Sequence, residues 1–337
     1  MRKERKREHV ENYLRTSYEG DTLFEDIYLE HNSLPELSIK DINTKTKFLG
    51  KYIDFPIMIN AMTGGTKFTG NINNDLSLLA SKFNIPMAVG SETIILCEDE
   101  ACKESFKLVR QNMGQEGIVI ANLSGQASLE DVKMAMDIVD GDAIQIHLNP
   151  AQELAMDEGD RDFTGILKNI EKVVQIVDKP VIIKEVGFGI SKGVAQRLYD
   201  IGVRYIDIAG FGGTNFIEIE NLRNLDTNLT ELYSWGIPTA LSLIKCRELP
   251  DDLKIVASGG IKSSLDIVKS LILGGEIGGI SGEILKYLVH GGYDHAEKYL
   301  EDLTYRLKMV MLLMGKKDIE ELKRSDYKII GRLKELL

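Results

Sequence analysis

Eight short runs rich in β-branched residues recur along the chain, and they constrain its fold more than any other feature. They are Pro56–Ala61, Pro86–Gly90, Gly117–Asn122, Ala143–His147, Pro180–Glu185, Arg204–Gly210, Lys254–Gly259 and Gly278–Gly282. Each run is almost continuously apolar, as expected of parallel strands that are buried on both faces. Amphipathic, helix-like stretches lie between most of them. The pattern predicts an α/β fold, a TIM (β/α)8 barrel whose reactive groups lie where strands run into loops.

The 337 residues contain no linker rich in Pro, Gly or Ser, which predicts a single domain. We expect an N-terminal extension over residues 1–52, the barrel over 53–290 and C-terminal helices over 291–337. The polar segment 211–236 interrupts the rhythm and predicts a long lid or binding loop. Apolar stripes predict helices over 73–83, 101–113, 128–139, 163–177, 191–200, 263–273 and 294–314, with one or two more in 318–337.

Composition limits the classes of partner and compartment. The net charge of −11 argues against nucleic acid as the main partner. No apolar run is long enough for a membrane-spanning helix, so we expect no membrane partner. The three cysteines, Cys97, Cys102 and Cys246, form no CxxC pair and favour a reducing, cytoplasmic environment.

Two features indicate a phosphorylated ligand. The seventh and eighth runs lead into the glycine-rich turns Ser258–Lys262 and Gly278–Gly282, and phosphate sites in such barrels are commonly built from these two loops. A basic cluster near the N-terminus is either a solvated tail or a phosphate clamp. Composition alone favours the tail. The cluster comprises Arg2, Lys3, Arg5, Lys6 and Arg7.

Lys184 ends the fifth run among apolar residues, and a buried ammonium group needs a partner. It could form a structural salt bridge with Glu185 or Asp207, act as a Schiff-base lysine, or stabilise the anionic N1 of a reduced flavin. Amides and hydroxyls at other strand ends, such as Asn60, Ser91 and Asn122, suit the polar edge of a flat heterocycle. No motif of a serine nucleophile accompanies them.

The segment His147–Glu153 after the fourth run is the densest polar stretch. Glu153 beside His147, Asn149 and Gln152 could hold one magnesium ion, which keeps several waters and bridges to substrate phosphates. Zinc is disfavoured because no second His or Cys lies at ligand spacing. The carboxylates after the sixth run, Glu218 and Glu220, are candidates for proton transfer if a dry site raises the pKa of one of them.

Five motifs stand in the order seen in type 2 isopentenyl-diphosphate isomerases, and the chain resembles that family over essentially its whole length. They are Arg5-Lys6-x-Glu8-His9, Asn60-Ala61-Met62-Thr63-Gly64-Gly65, His147-x-Asn149-x-x-Gln152-Glu153, Lys184-Glu185-Val186-Gly187 and Gly212-Gly213-Thr214-Asn215. The resemblance implies a homotetrameric or homo-octameric flavoenzyme that needs FMN, Mg²⁺ and a reductant such as NADPH. It would interconvert isopentenyl and dimethylallyl diphosphate without net redox change, using reduced FMN to move the protons.

The resemblance also implies roles for individual residues. Gln152, His147 and Glu220 would serve catalysis, and Glu153 would ligate magnesium. The substrate would contact Arg5, Lys6, His9, Ser91, His147, Asn149 and Gln152, which reverses the expectation of a merely solvated tail. The flavin and its phosphate would contact Ala61, Met62, Thr63, Ser91, Asn122, Lys184, Thr214, Gly259, Gly260, Lys262, Ser281 and Gly282.

Three positions depart from the family pattern. Glu92-Thr93 follow Ser91 where Gln-Arg or Thr-His is usual, Lys262 replaces an arginine, and Glu283 follows Gly282 near the expected phosphate. Weaker FMN retention is the hypothesis that follows. Three rival functions stay open at this point: an FMN-dependent dehydrogenase or oxidase of 2-hydroxy acids, a non-catalytic flavin-binding protein, and a Schiff-base aldolase.

Overall fold

Eight parallel strands form a closed barrel in the computed structural model, which describes residues 2–97, 100–224 and 226–337. This confirms the predicted TIM barrel. The side chains of Arg2, Lys3 and Cys97 lie outside the described part. The barrel strands are β1 (Ile57–Ile59), β2 (Met87–Ala88), β3 (Val119–Ser124), β4 (Ala143–Leu148), β5 (Val181–Glu185), β6 (Tyr205–Asp207), β7 (Lys254–Ser258) and β8 (Ile277–Ile280). Each pairs with the next, and β8 pairs with β1 to close the barrel.

Helices cover the outside of the barrel, and every predicted stripe coincides with one. No helix in the part of the chain that the structure describes is long and apolar enough to cross a membrane. The helices are α1 (Arg2–Tyr13), α2 (Lys67–Lys82), α3 (Glu100–Met113), α4 (Leu129–Val139), α5 (Pro150–Ala155), α6 (Ile166–Ile176), α7 (Lys192–Asp200), α8 (Phe216–Arg223), α9 (Thr239–Arg247), α10 (Ser264–Ile272), α11 (Gly282–Leu313), α12 (Ile319–Lys323) and α13 (Gly331–Leu336).

The segment 211–236 is not the plain loop that its composition predicts, because α8 lies within it. Asn215 caps this helix: its side-chain oxygen accepts hydrogen bonds from the backbone N–H groups of Ile217 and Glu218 at 3.1 and 3.3 Å. Five consecutive residues of α8, from Ile217 to Asn221, are buried. A helix that buries polar side chains on all sides shows no apolar stripe, which is why the sequence pattern conceals it.

Two short strand pairs lie outside the barrel. Ile27–Leu29 pairs with Tyr327–Ile329, which ties the N-terminal extension to the C-terminal segment. Thr46–Phe48 pairs with Lys51–Ile53 in a hairpin. Phe48 and Ile53 of this hairpin share a hydrophobic cluster with barrel-strand residues such as Met58 and Ile182. The hairpin therefore closes the end of the barrel at which the strands begin.

Side chains inside the barrel change from apolar to polar along β1, β3, β5 and β7. The apolar cluster contains Met58, Ile120, Ile182 and Val256. Two residues further along the same strands, and so on the same face, stand Asn60, Asn122, Lys184 and Ser258. Asn60 follows β1 and contacts Asp207 on β6, a strand that is not its neighbour, so this contact crosses the barrel interior. The polar layer underlies the end of the barrel where barrels of this kind carry their sites.

Candidate functional site

A cavity of about 590 Å³ opens where the barrel strands end. Its volume lies in the range of pockets that hold a cofactor and a small substrate. Nineteen of the residues predicted to form the site line this one cavity. They are Arg5, Lys6, His9, Ala61, Met62, Thr63, Ser91, Asn122, His147, Asn149, Gln152, Glu153, Lys184, Thr214, Gly259, Gly260, Lys262, Ser281 and Gly282.

Glu220, the candidate for proton relay, does not line the cavity, whereas the other predicted site residues do. It lies behind the wall, where its Oε1 accepts a hydrogen bond from Gln152 Nε2 at 2.9 Å and is 2.9 Å from His9 Nε2. Burial opposes its ionisation, yet contacts with His9, Gln152 and Arg223 hold the pKa of Glu220 below its ordinary value. The carboxylate therefore orients two cavity residues rather than touching a ligand.

Helix α1 reaches the cavity because α8 holds it. Arg223 donates from Nε to Glu8 Oε2 at 2.9 Å and from a second nitrogen to Glu220 at 2.6 Å. Further along, Glu218 Oε1 accepts the backbone N–H of Ser17 at 2.9 Å. A basic segment that would otherwise be a solvated tail is thus fixed at the cavity mouth.

The basic side chains of α1 carry unequal charge. Lys6 Nζ donates a hydrogen bond to the carbonyl oxygen of Ser91 at 3.0 Å. Burial, and then the nearby charge of Arg5, lowers the pKa of Lys6 to about 8. Arg5 lies 3.6 Å from Glu158 Oε1. A bound anion would relieve the repulsion between Arg5 and Lys6. These two side chains are therefore suited to bind an anion.

His147 is held by its neighbours in the polar layer. Its Nδ1 lies 2.9 Å from Asn122 Oδ1. Burial, followed by the charges of Lys6 and Lys184, lowers the pKa of His147 to about 3. The imidazole is therefore neutral near pH 7.

Lys184 forms its ion pair with Asp207, not with Glu185. Its Nζ lies 3.1 Å from Asp207 Oδ2, and the Asp207 side chain is fully buried. Glu185 instead accepts the backbone N–H groups of Val186 and Gly187, both at 2.7 Å, and so shapes the loop after β5. Burial raises the pKa of Glu185 to about 7. The Lys184 ammonium remains at the cavity wall, where it can face an anionic group.

Of the two residues that depart from the pattern after β2, Thr93 faces the cavity and Glu92 does not. Glu92 is buried, and its Oε2 accepts the backbone N–H of Asn122 at 2.9 Å. Burial raises the pKa of Glu92 well above its ordinary value. Ser91 Oγ and Thr93 Oγ1 are 2.9 Å apart. At this point the cavity is therefore lined by a pair of hydroxyls, and the Glu92 side chain lies behind them.

The glycine-rich turns interlock backbone against backbone. A Cβ atom on Gly213 would collide with the backbone of Gly260, and one on Gly259 with that of Gly210. Next to them, Tyr13 of α1 stands so close to Gly282 that a side chain there would strike its ring. Glu283 also lines the cavity at this end. The glycines leave backbone N–H groups as the main surface available to an anion.

Sequence reasoning missed several groups that complete the site. Gln145 on β4 links Asn122 to Asp207 in the polar layer. Arg223 anchors α1, and Tyr13 covers the glycine turn. For Gln145 a signal existed: a polar residue two positions before His147 in an otherwise apolar run has to face the same side of the strand.

The matched family model is described as FMN-dependent, and the similar solved structures share the barrel fold. Residues 109–329 match the family described as FMN-dependent dehydrogenase. A flavocytochrome b2 variant is 19% identical and has a TM-score of 0.70, with 98% of this chain and 84% of that chain covered. A mandelate oxidase variant is 17% identical with a TM-score of 0.66, over 92% and 90% of the two chains. At these identities the structures show the fold alone. Fold and family model together define an FMN-dependent barrel protein.

Relatives with higher identity define the family more narrowly. The isopentenyl-diphosphate delta-isomerase of Geobacillus sp. (strain WCH70) is 42% identical over 98% of this chain and 94% of its own length. That of Listeria monocytogenes serotype 4b is 40% identical over 99% and 93%. The protein therefore belongs to the FMN-dependent, type 2 family of isopentenyl-diphosphate delta-isomerases.

Proposed function

We propose that this enzyme interconverts isopentenyl and dimethylallyl diphosphate by adding a proton at one allylic carbon and removing one from the other. The observation that carries the proposal is that one cavity combines a basic anion site, a glycine-rich phosphate cradle and a buried lysine. No redox change is needed, because the product differs from the substrate only in the position of its double bond.

The cavity wall fits FMN. Among the described residues, the buried hydroxyl of Thr63 has no hydrogen-bond partner, so it is free to meet a polar group of the flavin. Lys184 would stand near N1, where its charge stabilises the reduced anionic ring. Asn122, Ser91 and Thr214 would contact the ring edge or its chain, as would Ala61, Met62 and Lys262. The phosphate would lie among Gly259, Gly260, Ser281 and Gly282. Reduced FMN would supply the proton-transfer chemistry.

Glu153 fits a magnesium ion only together with the substrate. Its Oε1 accepts a hydrogen bond from Asn149 Nδ2 at 2.8 Å, and its Oε2 accepts the backbone N–H of Asp160 at 2.9 Å. Within the described ranges, no three His, Cys, Asp or Glu side chains are grouped as a metal site. One carboxylate suits Mg²⁺ when waters and diphosphate oxygens fill the other positions.

The remaining residues bind and orient the substrate. Arg5, Lys6 and His147 would hold the diphosphate with Asn149, while His9 and Gln152 lie beside the hydrocarbon end. Gln152 is 8% exposed and is fixed by Glu220, so it would exclude water and place its amide against the allylic carbons. Glu220 would position the Gln152 amide and would take part in proton relay only through the His9 imidazole, which can accept a proton at one nitrogen and release one at the other.

Several wider features belong to the same proposal. NADPH would reduce the flavin, since some reductant must prime it. The chain would act in the cytoplasm as a homotetramer or homo-octamer. These expectations are supported by the family resemblance and by the lack of a CxxC pair in the sequence.

An anaerobic assay by proton NMR tests the proposal. Protein, FMN, Mg²⁺ and isopentenyl diphosphate are combined, with the flavin reduced by dithionite or NADPH. We expect dimethylallyl diphosphate to form with reduced flavin, and no product to form in the matched sample with oxidised flavin. No turnover, together with rapid flavin reduction by lactate or glycolate, would replace the isomerase by a 2-hydroxy-acid dehydrogenase.

A further inference from the structure

The polar layer below the cavity is one continuous chain of hydrogen bonds that ends at His147. It runs from Asp207 through Gln145 and Asn122 to the imidazole. Asp207 and Gln145 are fully buried and do not line the cavity, whereas His147 does. These hydrogen bonds therefore connect the buried carboxylate of Asp207 with the imidazole of His147, which lines the cavity.

Asp207 sets the direction of every hydrogen bond in this chain. It is paired with Lys184 at 3.1 Å, and an ionised carboxylate can only accept. Its Oδ2 lies 2.6 Å from the Asn60 amide and 3.2 Å from the Gln145 amide. In both amides the group that faces Asp207 must therefore be the NH₂.

Asn60 supplies a second, independent constraint. Its Oδ1 accepts the backbone N–H of Ala61 at 2.9 Å, and a backbone N–H can only donate. The same Oδ1 is 3.0 Å from Gln145 Nε2. The Gln145 nitrogen thus lies between two acceptors, and its Oε1 must point the other way, towards Asn122.

The orientation of the Gln145 amide fixes that of the Asn122 amide, which in turn contacts His147. Asn122 Nδ2 donates to Gln145 Oε1 at 3.2 Å, which leaves Oδ1 facing His147 Nδ1 at 2.9 Å. An oxygen in that place requires a proton on Nδ1. Because His147 is neutral near pH 7, its other ring nitrogen, Nε2, carries no proton.

We propose that Asp207, acting through Gln145 and Asn122, fixes His147 in the Nδ1–H tautomer and presents Nε2 to the cavity as a hydrogen-bond acceptor. Asp207 and Gln145 are then positioning residues for His147. One consequence rests on the proposed function: His147 would meet the diphosphate by accepting a hydrogen bond from a protonated phosphate oxygen. Arg5 and Lys6, and not His147, would supply the positive charge.

Nitrogen NMR reports the tautomer directly. The flavin-free protein, deuterated and labelled with ¹⁵N-histidine, is examined at pH 7.5 by two-bond ¹H–¹⁵N correlation. The chain has five histidines, and a His147→Gln variant identifies the relevant signals. We expect the pattern of a neutral ring protonated at Nδ1 alone. A ring protonated at Nε2 would overturn the proposal, as would an imidazolium.

Two substitutions distinguish loss of the hydrogen bonds from Asp207 to His147, called the relay below, from general damage to the core. Gln145→Met keeps the volume but breaks the chain, so we expect His147 to lose its single tautomer. Asn122→Asp also loses the bond to Gln145 but keeps an acceptor beside Nδ1, so we expect the Nδ1–H tautomer to persist. Thermal unfolding shows that each variant is folded. A single Nδ1–H tautomer retained in Gln145→Met would overturn the relay.

The outcome is independent of the proposed reaction. No flavin, metal or substrate is present in the NMR samples, so a failed isomerase assay leaves the tautomer result standing. Conversely, if NMR shows a tautomer of His147 other than Nδ1–H, the isomerase assay still tests the proposed reaction on its own. If Gln145→Met does not fold, the wild-type spectrum and the Asn122→Asp spectrum still decide the question.

Discussion

Glu153 is the single carboxylate on which the proposed magnesium requirement depends. Replacing it by glutamine keeps the shape and one of the two accepted hydrogen bonds, but removes the charge that attracts the ion. We expect Glu153→Gln to lose at least about a hundredfold in magnesium-dependent turnover, equivalent to about 2.7 kcal/mol, while FMN still binds. Steady-state kinetics over a range of Mg²⁺ and flavin fluorescence titration measure the two effects.

Glu130→Gln is the matched control, since Glu130 is exposed on α4 and lies outside the cavity. It removes the same charge and should leave both measurements unchanged. Full activity in Glu153→Gln would show that another group holds the metal.

Lys184 combines a structural role with a proposed cofactor role, and a double substitution separates them. Lys184→Met leaves Asp207 buried without its partner, so we expect the free energy of unfolding to fall by about 3–5 kcal/mol. In Lys184→Met/Asp207→Asn neither charge remains, and most of that stability should return. FMN affinity should stay low in both, because the cation beside the ring is missing. Urea unfolding and flavin titration check this; normal FMN affinity in the double variant would refute the cofactor role.

His147 should make folding stability depend on pH. Its pKa is lowered to about 3 in the folded protein, against 6.5 for an ordinary histidine. Between those values the unfolded chain binds a proton that the folded protein does not, so stability falls as the pH falls, by at most about 1.4 kcal/mol per pH unit. Urea unfolding at pH 7.5, 6 and 5 should show the wild type losing stability relative to His147→Gln.

The contribution of Glu185 to folding stability depends on pH in the opposite sense to that of His147. Burial raises the pKa of Glu185 to about 7, so its contribution to stability is present at low pH and is lost as the pH rises through 7. Because both proteins contain Glu185, this contribution cancels in the difference between them. Parallel stability curves for the two proteins would mean that His147 takes up its proton over the same pH range in the folded protein as in the unfolded chain.

At the scale of elements, α8 decides whether α1 reaches the cavity. Arg223→Ala removes the ion pairs with Glu8 and Glu158 and leaves Glu220 with its other partners. We expect the KM for the diphosphate to rise about tenfold or more, equivalent to about 1.4 kcal/mol, with little change in FMN affinity. Trypsin should also cut faster within α1, because that helix detaches.

Arg247→Ala is the matched control for this substitution. Arg247, the last residue of α9, makes an exposed ion pair with Asp251, and such pairs contribute little to stability. Its KM should equal that of the wild type. An unchanged KM in Arg223→Ala would show that α1 stays docked without the ion pairs.

Elements that form by burying apolar surface could be predicted from the sequence, and those fixed by polar contacts could not. The eight strands lie in predominantly apolar runs, so their number and order could be predicted. In α8 the buried Glu218 and Glu220 hide the helix, since they contact Ser17 and His9, some 200 residues away in sequence. The helix expected from residue 294 is the second part of α11, which begins at Gly282 and is kinked at Gly292.

At the scale of the whole molecule, the barrel explains why most of the candidate site could be predicted. Strand order places every strand end on one rim, so polar residues that follow apolar runs must converge there. Gln145 escaped notice because its role depends on which face of β4 points inward, and on contacts across the closed barrel. The orientation of Glu220 likewise follows from tertiary packing and not from its spacing.

Assembly is the prediction that belongs to this scale. Tyr305, Met309 and Leu313 recur every fourth residue on α11 and are each at least 40% exposed. Such a stripe favours burial against a second copy. Light scattering on the purified protein should give four or eight times the chain mass of 37.7 kDa. A monomer at micromolar concentration would contradict the expected homotetramer or homo-octamer.

The interlocked glycines after β6 and β7 bear on how mutational scans of this protein should be interpreted. Gly212 and Gly260 both pack against Thr22, and Gly213 packs against Gly260, so there is no room for a methyl group at any of the three. A saturation scan scored for activity would rank these positions, and Thr22 with them, beside metal-binding candidates such as Glu153. Their intolerance would reflect volume and not chemistry. A parallel scan for abundance would separate the two groups, because only the crowded positions would fail in both.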